Sequence, residues 1–203
     1  MKLTYRDPGY EYSARSIAEF IKQDESRTTS IFHFLPELGK FKGLFSRDTD
    51  NRDILVCNIT LNPISPRYLQ QWAFDVFYLN SDKGSLGSAL HEITHYLWFH
   101  LWNKKHNDSY EQYESPGLIW ILSEAVVEQI LKHDDFNKIN PYHKGENAYS
   151  CFYKMMIGEK QLYDHLDAMY KNNSIDKFME ESYQFIIENE EKIRSQMPNR
   201  GSY

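Results

Sequence analysis

Leu90-His91-Glu92-Ile93-Thr94-His95-Tyr96-Leu97-Trp98-Phe99 lies near the middle of a chain of 203 residues. Its apolar positions recur at helical spacing, which predicts one long helix from Ser85 to about Lys105. At about 100° of rotation per residue, His91 and His95 fall about 40° apart and one turn apart along the axis. Two imidazoles so placed can reach one ion at about 2.0–2.1 Å, the range of zinc–histidine bonds. Glu92 falls about 100° from His91 and about 60° from His95, beside such an ion without binding it. Two imidazoles and a carboxylate among Leu90, Ile93, Tyr96, Leu97 and Phe99 are costly unless hydrogen-bonded or metal-bound. The H-E-x-x-H pattern is that of a zinc-binding helix whose glutamate serves as general base. One zinc per chain is the expectation, with His91 and His95 as ligands and Glu92 as the base.

A catalytic zinc takes three protein ligands and keeps one position open. Glu124 is the best third ligand, because it sits inside the strongly apolar run Leu118-Ile119-Trp120-Ile121-Leu122-Ser123-Glu124-Ala125-Val126-Val127-Glu128. That run predicts a second helix over 118–132. Glu128 shares the face of Glu124 one turn on and suits an outer-shell role, accepting the far N–H of a ligand imidazole. His100 is a poor ligand, about 140° around the helix from His95. His33, His106, His133 and His165 read as surface or hydrogen-bonded histidines.

Upstream, 1–12 reads as an irregular polar arm and 13–22 as a short helix. Residues 31–35 form a short apolar run ended by Pro36. Asp53–Leu61, DILVCNITL, is the best strand, rich in β-branched residues and closed by Pro63. Ser65-Pro66 has the form of a helix start, and Tyr68, Leu69, Trp72, Ala73, Val76 and Leu79 follow at helical spacing. The stretch FDVFYL within it suits a strand equally, so both readings stay open. A turn is expected at 80–84 and loops at 107–117 and 134–145. Further helical segments are expected at about 146–157, 159–171 and 175–194.

The formal net charge is −6, with Lys and Arg scattered along the chain. Phosphate binding needs a concentrated basic face, so nucleic acid is not expected as a partner. The two cysteines, Cys57 and Cys151, offer neither a disulfide framework nor a thiolate metal site by their spacing. No stretch reaches the roughly 18 apolar residues of a membrane span. MKLTYRDPGYEYSARS has no apolar core of a signal peptide, and a cytoplasmic location is expected.

With these residues in view, the chain resembles the gluzincin peptidases, in particular the catalytic core of the aminopeptidase-N-type family. HEITHYLWFHL is similar to that family's HELAHQWFGN block. WILSEAVVEQI is similar to its WLNEGFA block, whose glutamate is the third zinc ligand and matches Glu124. Pro141-Tyr142-His143-Lys144-Gly145 is similar to its Y-x-K-G block, whose tyrosine stabilises the oxyanion and matches Tyr142. The blocks occur in the family's order over about residues 86–157. The chain differs in the 28 residues between His95 and Glu124, a wider gap than is usual there, and in having no GAMEN-like segment. The wider gap is also similar to that of the ImmA/IrrE-type regulatory peptidases.

The resemblance implies a zincin-like α+β fold, mainly helical. A small N-terminal β-sheet would pack on the H-E-x-x-H helix, ahead of a helical C-terminal half. A single domain is expected, with an α/β part over 1–84 and a helical part over 85–203. The implied activity is zinc-dependent hydrolysis of a peptide or protein substrate, with Glu92 and Tyr142 catalytic and His91, His95 and Glu124 on the metal. The alternatives are a regulatory metallopeptidase of the ImmA/IrrE type and a catalytically silent zinc-binding module, which would have no need of Glu92.

Overall fold

A computed structural model describes residues 2–6, 54–61, 65–141 and 149–198 of the chain. The expected helix at 13–22 and the apolar run at 31–35 lie outside these residues. The protein is mainly helical with a small N-terminal sheet. It divides into two units, the first reaching Ala89 and the second starting at Leu90.

The first unit holds a four-stranded sheet of β1 (Lys2–Arg6), β2 (Ile54–Thr60), β3 (Arg67–Tyr68) and β4 (Ala73–Phe77), in the order β1-β2-β4-β3. β2 pairs parallel with both β1 and β4, and β3 closes the far edge antiparallel to β4. The expected strand at 53–61 is thus the inner strand β2. One expectation is corrected: residues 2–6 are not an irregular arm but an edge strand, a position that tolerates the polar sequence KLTYR. The choice left open at 65–79 falls to the strand, and a short 3-10 turn at Leu69–Gln71 joins β3 to β4. Ala73, Phe74, Asp75 and Val76 are all buried, so β4 is covered on both faces. Such a strand reads as a continuous apolar run rather than an alternation, and a helical spacing can be found within it. Asn58 and Asp75 face each other in register, and the Asn58 amide donates to Asp75 at 2.9 Å. That bond satisfies a carboxylate with no solvent exposure.

α1 (Asp82–Lys105) begins in the first unit and runs into the second. It starts three residues earlier than Ser85, because the Ser81 hydroxyl accepts from the Gly84 N–H at 3.2 Å and caps the first turn. The second unit continues with α2 (Leu118–Leu131), α3 (Asp134–Ile139), α4 (Ser150–Lys154), a small hairpin of β5 (Met156–Ile157) and β6 (Lys160–Gln161), α5 (Leu162–Asn172), α6 (Ile175–Glu188) and α7 (Glu190–Gln196). α3 lies where a loop was expected, and the described part of the helix expected over 146–157, from Tyr149 on, holds α4 and a strand of the hairpin.

α2 is the axis of this unit and packs against α5 and α6. Every residue from Ile119 to Gln129 is buried, which a helix reaches only when neighbours cover it all round. Gly117 caps its N-terminus, and a Cβ there would collide with the backbone carbonyl oxygen of Gln112. That close approach fixes where α2 starts and so where its carboxylates fall. α5 begins in a capping box of Gln161 and Asp164, and the Ser174 hydroxyl caps α6. Lys105, at the end of α1, pairs with Asp176 at 3.0 Å and Glu180 at 3.2 Å on α6. No helix among the described residues is long and apolar enough to cross a membrane.

Candidate metal centre

His91 and His95 stand one turn apart on α1, as their i, i+4 spacing requires. Their Nε2 atoms are 3.0 Å apart. The Glu124 Oε2 on α2 lies 3.5 Å from the His91 Nε2 and 3.4 Å from the His95 Nε2. Three ligand-type atoms therefore converge from two helices. They form the one such group among the described residues.

The triangle can be tested against a metal. A tetrahedral centre with bonds of about 2.0–2.1 Å has ligand–ligand edges of about 3.3–3.4 Å. Edges of 3.0, 3.4 and 3.5 Å lie around that value. A single proton bridges only one edge of such a triangle, whereas a divalent cation satisfies all three atoms. The donor set of two imidazoles and one carboxylate is that of a catalytic zinc with its fourth position open. The residues present fit the ion.

Burial strengthens the fit. The His95 side chain has no solvent exposure, Glu124 has 5% and His91 12%. A carboxylate sunk in an apolar helix is costly without a cationic partner. The His95 ring lies nearly parallel to that of Phe99, at 6.1 Å, and Phe99 stacks on Tyr113 at 4.8 Å. The Tyr113 hydroxyl donates to the Asn103 side chain at 3.0 Å. Burial, and then Asp108 and Tyr110 nearby, pushes this phenol up to about 12. The stack braces His95 from the side of the segment that links α1 to α2.

Glu92 follows His91 on α1 and is 5% exposed. Tyr142, the expected oxyanion donor, lies outside the described residues, as does His143. The other described histidines do not join the group. His100 is exposed, His106 stacks on Trp102 at 4.1 Å, and a ring nitrogen of His165 meets the Ile157 carbonyl at 3.1 Å. Cys57 is buried and Cys151 half-buried.

Around Glu128 the structure adds what sequence reasoning missed. This carboxylate is fully buried, accepts from the Tyr153 hydroxyl at 2.8 Å and lies 3.8 Å from the Lys132 Nζ. Tyr153 meets Tyr163 edge-on, with ring centroids 4.8 Å apart. Burial pushes the Tyr163 phenol far above its ordinary value, and Tyr153, Glu128 and Glu124 push it further. No sequence signal singles out Tyr163, whose place beside Leu162 and before Leu166 is that of an ordinary core aromatic.

Neither protein-family profiles, nor curated proteins, nor solved structures give a match to this chain.

Proposed function

We propose that this protein is a zinc-dependent hydrolase that cleaves peptide bonds. The observation that carries the reading is the His91, His95 and Glu124 triangle, whose edges fit one tetrahedral ion. His91, His95 and Glu124 hold the zinc. When bound, zinc polarises a substrate carbonyl and makes water a nucleophile near neutral pH.

The chain's own residues supply the proton chemistry and the orientation. Glu92, one residue after His91, takes the proton of the attacking water and returns it to the leaving amine. Its burial removes competing solvent from the carboxylate. Helix α1 fixes the base relative to both imidazoles, so proton acceptor and ligands share one rigid element. Tyr142 is the proposed donor to the tetrahedral oxyanion, on the resemblance of its segment to the Y-x-K-G block.

Digestion of a broad peptide library by the zinc-loaded protein tests this reading. Cleavage by the wild type that disappears in Glu92→Gln, with zinc content unchanged, is the expected result. Zinc bound by both proteins and cleavage by neither would instead favour the catalytically silent zinc-binding module.

A further inference from the structure

Arg194 of α7 reaches the segment through which the chain enters α2. Its Nη1 donates to the Pro116 carbonyl oxygen at 2.8 Å, and its Nε donates to the Glu190 carboxylate at 2.7 Å. Glu190, one turn earlier on α7, fixes the plane of the guanidinium, so the other arm of the fork stays aimed at Pro116. Docking of α7 has other anchors. Ile193 is fully buried. The Gln196 amide accepts from the Met156 N–H at 2.9 Å and donates to the Met156 carbonyl oxygen at 3.0 Å.

The backbone that Arg194 holds lies between the two arms of the metal centre. Upstream is Tyr113, whose ring stacks on Phe99, which in turn lies nearly parallel to the His95 ring. Downstream, Gly117 caps α2, and Glu124 follows about two turns on. The join has little slack. The Gly117 N–H donates to the Glu114 carbonyl oxygen at 2.7 Å, and the Gly117 carbonyl accepts from the Ile121 N–H at 3.0 Å. A Cβ on Gly117 would collide with the Gln112 carbonyl oxygen. A helix is stiff, so a shift of its first turn carries to a residue two turns on. Metal bonds of about 2.0–2.1 Å leave a ligand little room to move.

We propose that Arg194 is a positioning residue of the metal centre: by holding the Pro116 carbonyl it sets where α2 starts, and so where Glu124 presents Oε2 to His91 and His95. The inference rests on the metal-centre reading above. Arg194 acts through the backbone at 116–117 and touches neither the ion nor its ligands. The C-terminal helix thereby becomes part of the centre's support.

The test is a chelator-competition titration of zinc on wild type, Arg194→Met and Glu190→Gln, with the melting temperature of each metal-free protein measured alongside. Arg194→Met keeps the apolar stem and removes every N–H donor. Glu190→Gln leaves the donor to Pro116 in place. The expected result is a loss of zinc affinity of about 3–30-fold in Arg194→Met, the range for residues coupled to a site without touching it. Its metal-free melting temperature should stay close to that of the wild type, because Ile193 and Gln196 still dock α7. Glu190→Gln should bind zinc nearly as well as the wild type. Equal affinity in wild type and Arg194→Met overturns the role of Arg194 and leaves the metal centre standing. An equal loss in both variants also overturns it, since the effect would then belong to α7 as a helix rather than to the Pro116 bond. So does a loss that merely tracks a lower metal-free melting temperature. Wild type that binds no zinc overturns the metal centre itself, and this inference with it.

Discussion

The Glu124 Oε2 on α2 lies 3.4 Å from the fully buried Nε2 of His95 on α1. The two residues are separated by 28 others in the chain. Their meeting is therefore a tertiary event, fixed by where α2 starts and what packs around it. A metal that bridges them ties the two helices together, and its binding energy becomes stability of the folded state.

That relationship ranks the carboxylates of α2. Glu124→Ala removes a ligand, and zinc affinity should fall by more than 100-fold. Glu128→Ala leaves the ligands in place and should cost about 10–100-fold, as losses in the outer shell do. Chelator-competition titration measures both. The reverse order would move the third ligand from Glu124 to Glu128.

Glu92→Gln separates binding from chemistry. The amide fills the same buried space but cannot take a proton from water. General-base losses are typically about 10²–10⁴-fold, so turnover should fall by that order while zinc content stays the same. Peptide cleavage by the variant at the wild-type rate would remove Glu92 from the mechanism.

How far these residues were legible beforehand follows from how local their signals are. α1 and α2 were legible because helical spacing over many residues is written in the chain itself. The pairing of His91 with His95 followed, since their proximity is a property of the helix alone. Glu124 was legible for another reason: a carboxylate amid Trp120, Ile121, Leu122, Ala125 and Val126 has no solvent face to occupy. β4 was ambiguous because burial on both faces erases the strand alternation. β1 was missed because an edge strand needs no apolar pattern, only a partner, and that partner is β2, far along the chain. Tyr163 was invisible because a tyrosine next to leucines is ordinary, and its edge-on contact with Tyr153 exists only in the fold.

Tyr113 gives a pH-dependent test of the stack behind His95. Its folded pKa is raised to about 12 from an unperturbed 10.0, so the folded protein holds the proton more tightly than the unfolded chain. The stabilisation is full below about pH 10 and is lost as the pH rises to about 12. Denaturant midpoints at about pH 9 and about pH 11 should therefore fall further for the wild type than for Tyr113→Phe. Equal falls in both proteins would show that Tyr113 does not keep its proton in the fold.

The most direct measurement is the metal content of the purified protein after mild dialysis, set beside that of the His91→Ala/His95→Ala double variant. The account predicts about one zinc per wild-type chain and almost none in the variant. Equal, negligible metal in both would contradict it, because the His91, His95 and Glu124 triangle would then be held together by something other than a metal ion.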